Sequence, residues 1–214
     1  SSGIHCHKSW LSNHKKFFRD LTMKNILEKL LNGRDLSVDE SYNLMVSIMS
    51  GDYDEAQISG LLIALRAKGE AVDEIIGFAK GMREKMITVP ISSSAIDMCG
   101  TGGDESGTFN ISTAASFVVA GAGVHVAKHG NRSMTSKSGS ADVLESLGID
   151  INLPLQKSAA NIDKIGLGFL FAPSFHPAMK YAMPVRKSIA CRTVFNILGP
   201  LSNPANVKSQ AMGI

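Results

Sequence analysis

The chain has 214 residues, 44% of them hydrophobic, and a formal net charge of +3; this size allows one large domain or two small ones with a substantial core. No apolar stretch reaches the roughly 18 residues that a membrane span needs. Residues 1–22 hold four of the 22 basic residues and one of the 19 acids, so residues 23–214 carry 18 of each and lack the basic excess typical of nucleic-acid-binding proteins.

The N-terminal segment and the cysteines bear on localisation. Residues 1–22 lack the apolar core of a signal peptide, and we expect them to form a disordered extension. Cys6, Cys99 and Cys191 are far apart and odd in number, which fits a reducing compartment better than a disulfide framework. We therefore expect a cytoplasmic protein that binds neither membranes nor nucleic acid.

Residues 23–86 show helical periodicity and no strand pattern. The sequence Ser37-Val38-Asp39-Glu40 predicts a capping box at the start of one helix. Further start signals predict helices over residues 54–66 and 73–86. We therefore predict a small helical bundle domain over residues 23–90.

After Pro90 the pattern changes to alternating strands and helices. The predicted elements are a strand at 96–99, a helix at 112–122, a strand at 125–128, helices at 140–147 and 155–165, and a strand at 168–172. Such alternation predicts a mostly parallel sheet flanked by helices. His176 and Pro177 then open an amphipathic helix predicted to reach Cys191. The chain stops at Ile214 in an apolar stretch, and we expect residues 91–214 to be the incomplete front part of a larger α/β domain.

The sequence between the first predicted strand and its helix is rich in glycine. Glycines let backbone N–H groups approach phosphate oxygens, and a helix that begins near Ser112 adds its positive end. The spacing excludes a Walker loop, because Gly107 and not lysine precedes Thr108. It also excludes a Rossmann fingerprint, because Glu105 stands where the third glycine belongs.

Two acids in this loop indicate a metal ion. Asp104 and Glu105 would repel a bare diphosphate, so they are better placed to meet sugar hydroxyls, water or a divalent cation. The loop therefore predicts a site for a phosphorylated ligand with a divalent metal. A glycine-rich turn without a ligand is the alternative, since such clusters commonly mark loops.

A second loop, residues 128–140, also follows a strand and precedes a helix. Ligands of open α/β sheets collect beyond the carboxyl ends of the strands, so the two loops are expected to hold opposite sides of one ligand. Lys128 and Arg132 offer positive charge, while Ser136, Ser138 and Ser140 offer hydroxyl groups.

With both loops in view, the chain resembles the anthranilate phosphoribosyltransferase family over nearly all of residues 23–214. The resemblance rests on residues 100–104, 110–113, 128–132, 138–145, 176–179 and 196–204. It implies the fold of the nucleoside phosphorylase and class II phosphoribosyltransferases: a small helical domain, with return helices near 177–192, followed by a larger, mostly parallel α/β domain, truncated here at its C-terminal side. It also implies a homodimer through the helical domain.

The reaction that the resemblance implies is a glycosyl transfer of tryptophan biosynthesis. The 5-phosphoribosyl group of phosphoribosyl diphosphate passes to the amine of anthranilate, giving N-(5-phosphoribosyl)anthranilate and diphosphate, with Mg²⁺ as the cofactor. The family carries an Asp-Glu pair for a second magnesium beyond the position of Ile214. Whether these 214 residues are active by themselves therefore stays open.

The resemblance also implies a set of site residues. It assigns to phosphoribosyl diphosphate Gly100, Gly103, Asp104, Thr108, Asn110, Ile111, Ser112, Thr113, Lys128, His129, Gly130, Asn131, Arg132, Ser133, Met134, Thr135, Ser136 and Ser140. Ser112 is expected to bind magnesium as well, and Gly100, Asn131 and Arg186 are expected to meet anthranilate. The planar guanidinium of Arg186 suits bidentate binding of a carboxylate. No residue is assigned as a general acid or base, and for His129 we favour a positioning or structural role over proton transfer.

Two other functions stay open at this stage. A pyrimidine nucleoside phosphorylase has the same fold and a glycine-rich loop, although the segment 128–132 disfavours it. A non-enzymatic relative that binds nucleic acid is the other alternative, and the balanced charge of residues 23–214 counts against it.

Overall fold

The computed structural model describes residues 22–101, 109–133 and 139–213. The N-terminal helices are α1 (Met23–Leu31), α2 (Val38–Ser50), α3 (Glu55–Lys68) and α4 (Val72–Glu84). The alternating part contains β1 (Ala95–Gly100), α5 (Ile111–Gly121), β2 (His125–Gly130), α6 (Ser140–Ser146), α7 (Leu155–Ile165), β3 (Leu167–Phe171) and the short helix α8 (Ala172–Phe175). A 3₁₀ turn (Pro177–Tyr181), α9 (Met183–Ile189), α10 (Val194–Leu198), a second 3₁₀ turn (Pro200–Ser202) and β4 (Ser209–Gly213) follow.

The predicted helix starts are largely confirmed. Ser37 and Glu40 form the expected capping box at α2, with Glu40 N donating to Ser37 Oγ at 3.2 Å and Ser37 N donating to Glu40 Oε2 at 2.7 Å. Asp54 caps α3 in the same way. Helix α4 begins one residue before the predicted Asp73, because the buried carboxylate of Glu74 accepts from Ala71 N and sets the start. It ends at Glu84, before the predicted end at Met86.

The predicted helix from His176 to Cys191 is wrong as one continuous element. The segment divides into the first 3₁₀ turn and α9. Pro184 lies in the first turn of α9, and because proline has no N–H it cannot continue a helix that arrives from Tyr181. Helix α9 ends at Ile189, and the φ of 48° at the following Ala190 is left-handed.

The hydrophobic core has separate clusters. The first joins buried side chains of α1 to α4, such as Leu44 and Phe78, to Val185 of α9 and Phe195 of α10. A second lies against the sheet and includes Ala127, Ile162 and Leu170. These contacts show a helical bundle to which α9 and α10 also belong. The sheet has a separate core. The domain limits of 23–90 and 91–214 stay a prediction.

The four strands of the described residues form one parallel sheet in the order β3-β2-β1-β4. This confirms the expected combination of a helical bundle with a parallel α/β region. Strand β4 pairs with β1 from Ile96–Ser209 to Gly100–Gly213, and every residue of β4 is exposed. None of the described helices is both long and apolar enough to cross a membrane.

Candidate functional site

The carboxyl ends of β1, β2 and β3 lie side by side. Gly130 is in register with Phe171 of β3, and Gly100 ends the neighbouring strand β1. The described residues assigned to the ligand lie on these strand ends or on the segments that follow them; they are Gly100, Asn110, Ile111, Ser112, Thr113, Lys128, His129, Gly130, Asn131, Arg132, Ser133 and Ser140. Gly103, Asp104, Thr108, Met134, Thr135 and Ser136 lie outside the described residues.

Lys128 connects the two strand ends. Its side chain is 2% exposed, and Nζ donates to the carbonyl oxygen of Met98 at 2.5 Å and to Ser112 Oγ at 3.2 Å. Burial lowers the pKa of Lys128 to about 8, although the charge of Asp97 acts in the opposite direction. Lys128 of β2 thus holds the hydroxyl group of Ser112 in α5.

Asn110 organises the start of α5. Its Oδ1 accepts from Thr113 N at 3.0 Å, which caps the helix, and from Ser112 Oγ at 3.2 Å. Hydroxyl, amide and ammonium groups therefore form one hydrogen-bonded chain, Lys128–Ser112–Asn110, at the positive end of an 11-residue helix. Such an end favours a negatively charged ligand.

Asp97 is a buried residue of the site that the sequence did not single out. Its Oδ1 accepts from His129 N at 3.1 Å, and Gln210 Nε2 donates to Oδ2 at 3.4 Å. Burial raises the pKa of Asp97, while hydrogen bonds and the nearby Lys128 charge oppose that rise. A carboxylate within a predicted buried strand was the available signal, because such a group is rarely buried without partners.

His129 packs against His176. The ring centroids are 5.1 Å apart, and His176 Nε2 lies 3.0 Å from the carbonyl oxygen of Ser202. Within the described ranges His129 Nε2 has no hydrogen-bond partner. Burial lowers the pKa of His129 to about 3 and that of His176 to about 4, so both rings are neutral at pH 7. A base with a pKa of about 3 accepts a proton poorly near neutral pH, which supports the positioning role.

Arg132 faces two carboxylates of α6. Its Nη2 donates to Glu145 Oε1 at 2.7 Å, and Nη1 contacts Glu145 and also Asp142 Oδ1, the latter at 3.3 Å. Its guanidinium carbon lies 5.8 Å from the ring centroid of Phe171. The positive charge of Arg132 is therefore already paired when no ligand is present.

Asp142 also holds two backbone segments of the second loop, at Ser133 and at Gly139. Its Oδ2 accepts from Ser133 N at 3.0 Å and from Gly139 N at 2.8 Å. A side chain at Gly139 has no room, because a Cβ there would collide with Ser133 N. Asp142 belongs to the 138–145 motif, yet sequence reasoning gave it no role.

Arg186 lies on α9 and is half-buried. Its guanidinium carbon is 5.3 Å from the ring centroid of Phe195, and Nη1 lies 3.7 Å from Met183 Sδ. Burial lowers the pKa of Arg186. In the described parts of the chain it forms no ion pair with a carboxylate, which leaves its fork available to an anionic ligand. Arg192 Nη2 donates to Thr101 Oγ1 at 3.3 Å and so connects the segment after α9 to the end of β1.

The residues present fit a magnesium ion that arrives with an anionic ligand. Ser112 Oγ and Asn110 Oδ1 are 3.2 Å apart, and the ammonium of Lys128 already occupies a position against Ser112 and a backbone carbonyl. Ser112 Oγ and Asn110 Oδ1 are oxygen ligands of the kind that magnesium prefers. The Lys128 ammonium repels a bare cation, so the ion would have to bind together with substrate phosphates. No cluster of three His, Cys, Asp or Glu occurs within residues 22–101, 109–133 and 139–213.

Comparison with protein families gives two matches. Residues 24–86 match the model described as "Glycosyl transferase family, helical bundle domain". Residues 92–214 match "Glycosyl transferase family, a/b domain". Together they span most of the chain.

Curated relatives with similar sequences include anthranilate phosphoribosyltransferases. That of Persephonella marina is 54% identical over 194 residues, which are 90% of this chain and 57% of the relative. That of Bacillus caldotenax is 52% identical over 192 residues, which are 90% of this chain and 79% of the relative. The chain spans little more than half the length of the Persephonella relative.

Solved structures of the same kind are similar. Anthranilate phosphoribosyltransferase from Thermus thermophilus has a TM-score of 0.83 at 43% identity, over 88% of this chain and 57% of that one. The enzyme from Saccharomyces cerevisiae in complex with PRPP and Mg has a TM-score of 0.81 at 30% identity, over 91% of this chain and 59% of that one.

Proposed function

This chain belongs to the anthranilate phosphoribosyltransferase family, and on that premise we propose that it transfers the 5-phosphoribosyl group from phosphoribosyl diphosphate to the amine of anthranilate. The products are N-(5-phosphoribosyl)anthranilate and diphosphate, and the reaction belongs to tryptophan biosynthesis. The observation that carries the proposal is the chain of hydrogen bonds from Lys128 through Ser112 to Asn110, at the edge where β1 and β2 end.

The donor binds against this chain of polar groups. The N-terminus of α5 and the ammonium of Lys128 supply positive potential, while Ser112 and Asn110 supply oxygen ligands. Gly100, Ile111 and Thr113 border the same edge. Magnesium, when bound with the donor, stabilises the negative charge that develops on the leaving diphosphate. A related yeast enzyme is known in complex with PRPP and Mg.

The acceptor binds through its carboxylate. Arg186 offers that group a half-buried fork that pairs with no carboxylate among the described residues, and Asn131 lies at the end of β2. The aryl amine attacks as the neutral species, so the reaction needs positioning and electrostatic stabilisation more than a strong base. His129 is buried and neutral, which supports a mechanism that does not rely on it as a base.

We propose a cytoplasmic homodimer that associates through the helical domain and does not bind nucleic acid. Exposed apolar side chains of that region support self-association; they are Leu31, Ile63, Val72 and Ile76. The equal numbers of basic and acidic residues in 23–214 support the absence of a nucleic-acid site.

Loss of anthranilate fluorescence in the presence of phosphoribosyl diphosphate and Mg²⁺ tests the reaction. We would compare these 214 residues with the same chain fused to the C-terminal remainder of the Persephonella marina relative. Loss in either protein that requires both donor and metal supports the proposal. If neither protein causes a loss of fluorescence, the proposal is contradicted.

The two alternative functions have less support. The relatives and structures named above give none to a pyrimidine nucleoside phosphorylase. Phosphate-dependent cleavage of thymidine or uridine by the fused chain would establish that alternative, and salt-sensitive DNA binding that survives removal of residues 1–22 would establish the other.

A further inference from the structure

We propose that Asp142 is a positioning residue for the phosphoribosyl donor, because its carboxylate holds two backbone segments of the second loop, one ending at Ser133 and one beginning at Gly139, in a fixed relation. The proposal rests on the proposed function. Asp142 does not touch the donor in this scheme; it acts through Asn131, Ser133 and Ser140, which lie on those two segments.

A single oxygen atom makes the connection. Asp142 Oδ2 accepts from both Ser133 N at 3.0 Å and Gly139 N at 2.8 Å, so the two segments share one acceptor. The other oxygen, Oδ1, faces Arg132 Nη1 at 3.3 Å. Both oxygens therefore have partners within the chain.

The two segments also touch directly. A Cβ at Gly139 would collide with Ser133 N and would lie 2.7 Å from Asn131 O. Asn131 O accepts in turn from Ala141 N at 3.2 Å. The end of β2 and the start of α6 are thus joined at three points, and the Asp142 carboxylate supplies the shared acceptor.

The charge of Asp142 argues for an indirect role. A carboxylate repels a diphosphate, so it is unsuited to be a donor ligand. The backbone N–H of Ser133, followed by that of Gly139 and by Arg132, holds the pKa of Asp142 below its usual range, which keeps the acceptor ionised. The backbone contacts are charge-assisted hydrogen bonds, which are stronger than neutral ones.

Asp163 is a matched control near the amino end of β1, at the other end of the strands from the proposed donor site. Its carboxylate on α7 accepts from Ser92 N at 3.0 Å and from Ser93 N at 2.9 Å, in the segment that leads into the amino end of β1. Like Asp142 it accepts from two backbone N–H groups, here of consecutive residues, and it lies away from the carboxyl ends of the strands where the donor is expected.

The test is isothermal titration of phosphoribosyl diphosphate in the presence of Mg²⁺, combined with amide hydrogen exchange. Asp142→Ala should raise the donor Kd by about ten-fold or more, since two hydrogen bonds to one carboxylate are lost, and it should speed exchange at Ser133 and Gly139. Asp142→Asn keeps an oxygen acceptor and should restore affinity to within about three-fold of wild type. Asp163→Ala should speed exchange at Ser92 and Ser93 and leave the donor Kd unchanged.

Several results would overturn the proposal. They are a wild-type Kd in Asp142→Ala, an equal loss in Asp142→Ala and Asp163→Ala, or an Asn variant as weak as the Ala variant. If Asp142→Ala does not fold, Asp142→Glu replaces it, because it keeps the charge and displaces the oxygen; a wild-type Kd there counts against the proposal. The titrations are made with whichever protein binds the donor, the 214-residue chain or the fused chain; absence of donor binding to both would refute the proposed function itself, and this inference with it.

Discussion

The ammonium nitrogen of Lys128 lies 3.2 Å from the hydroxyl oxygen of Ser112, so a residue of β2 directly contacts a residue in the first turn of α5. Lys128 is almost fully buried and also binds a backbone carbonyl of β1. A ligand that enters this edge of the sheet therefore meets one continuous polar surface rather than two independent loops.

Replacement of Lys128 should affect the donor most. Lys128→Met removes the ammonium that faces Ser112 and should lower kcat/KM for phosphoribosyl diphosphate by about 100-fold, the effect of losing one preorganised donor. Steady-state kinetics of the active form measures it, with Lys157→Met, at an exposed position of α7, as the control. Equal kcat/KM values for the two variants would contradict the role of Lys128.

Replacement of Ser112 should weaken magnesium-dependent donor binding. Ser112→Ala removes one oxygen ligand and its contact with Asn110, and the magnesium concentration for half-maximal donor binding should rise several-fold. Ser116→Ala is the matched control, because Ser116 Oγ donates to the Ser112 carbonyl one turn further along the same helix. A magnesium titration that is unchanged in Ser112→Ala argues against its role as a ligand.

Replacement of Arg186 should separate the two substrates. Arg186→Ala removes the fork proposed for the anthranilate carboxylate and should raise the KM for anthranilate by about ten-fold or more, while the KM for the donor changes little. Arg186→Lys should recover only part of the loss, because an ammonium cannot bind bidentately. The control is Lys187→Ala, an exposed neighbour on α9; equal rises in both KM values would refute the assignment.

The buried histidines should make the fold sensitive to acid. The folded-state pKa values of His129 and His176 are about 3 and 4, below the value near 6.5 of an exposed histidine. At pH values between the folded-state and unfolded-state pKa of each histidine, the unfolded chain binds a proton that the folded chain does not. The free energy of unfolding therefore falls as the pH drops below about 6.5, by up to about 1.4 kcal/mol per pH unit for each histidine. Above that pH this contribution is constant.

Urea unfolding at a series of pH values measures this dependence. His129→Gln should make the decline below pH 6.5 shallower, because one of the two titrating rings is gone. His125→Gln, at the half-exposed start of the same strand, is the matched substitution for comparison. A wild-type decline in His129→Gln would show that other groups cause it.

Local signals made much of the fold predictable. The capping box at Ser37 and the N-cap at Asp54 set helix starts that the structure reproduces, and the residue limits of α7 agree with its periodicity. The parallel sheet followed from the alternation of strands and helices. The break before α9 was missed because apolar periodicity continues across Pro184, although proline itself was the signal.

The site was predictable only where its residues share a motif. Asn110, Ser112 and Lys128 stand in recognisable loops, whereas the contact of Asp142 with Ser133 joins residues nine positions apart that no repeating pattern brings together. The partners of Asp97 were even harder to predict from the sequence, since Gln210, one of them, is 113 residues away along the chain. Such partners are known only once the strand order is known.

The position of β4 beside β1 has a consequence for the order in which the chain acquires its structure. During synthesis β1 is made long before β4, and the pairing of Ile96 with Ser209 must wait until almost all of the described chain has emerged. Helices α1 to α4 contact one another over shorter separations and can pack early, although α9 and α10 join the same core later; parallel pairing of β1 with β4 requires an entropically costly closure first. We expect the strand that carries Asp97 and Gly100 to be among the last parts of the sheet to become fully ordered, and a nascent chain stalled before residue 209 to hold a folded bundle beside an unfinished ligand edge.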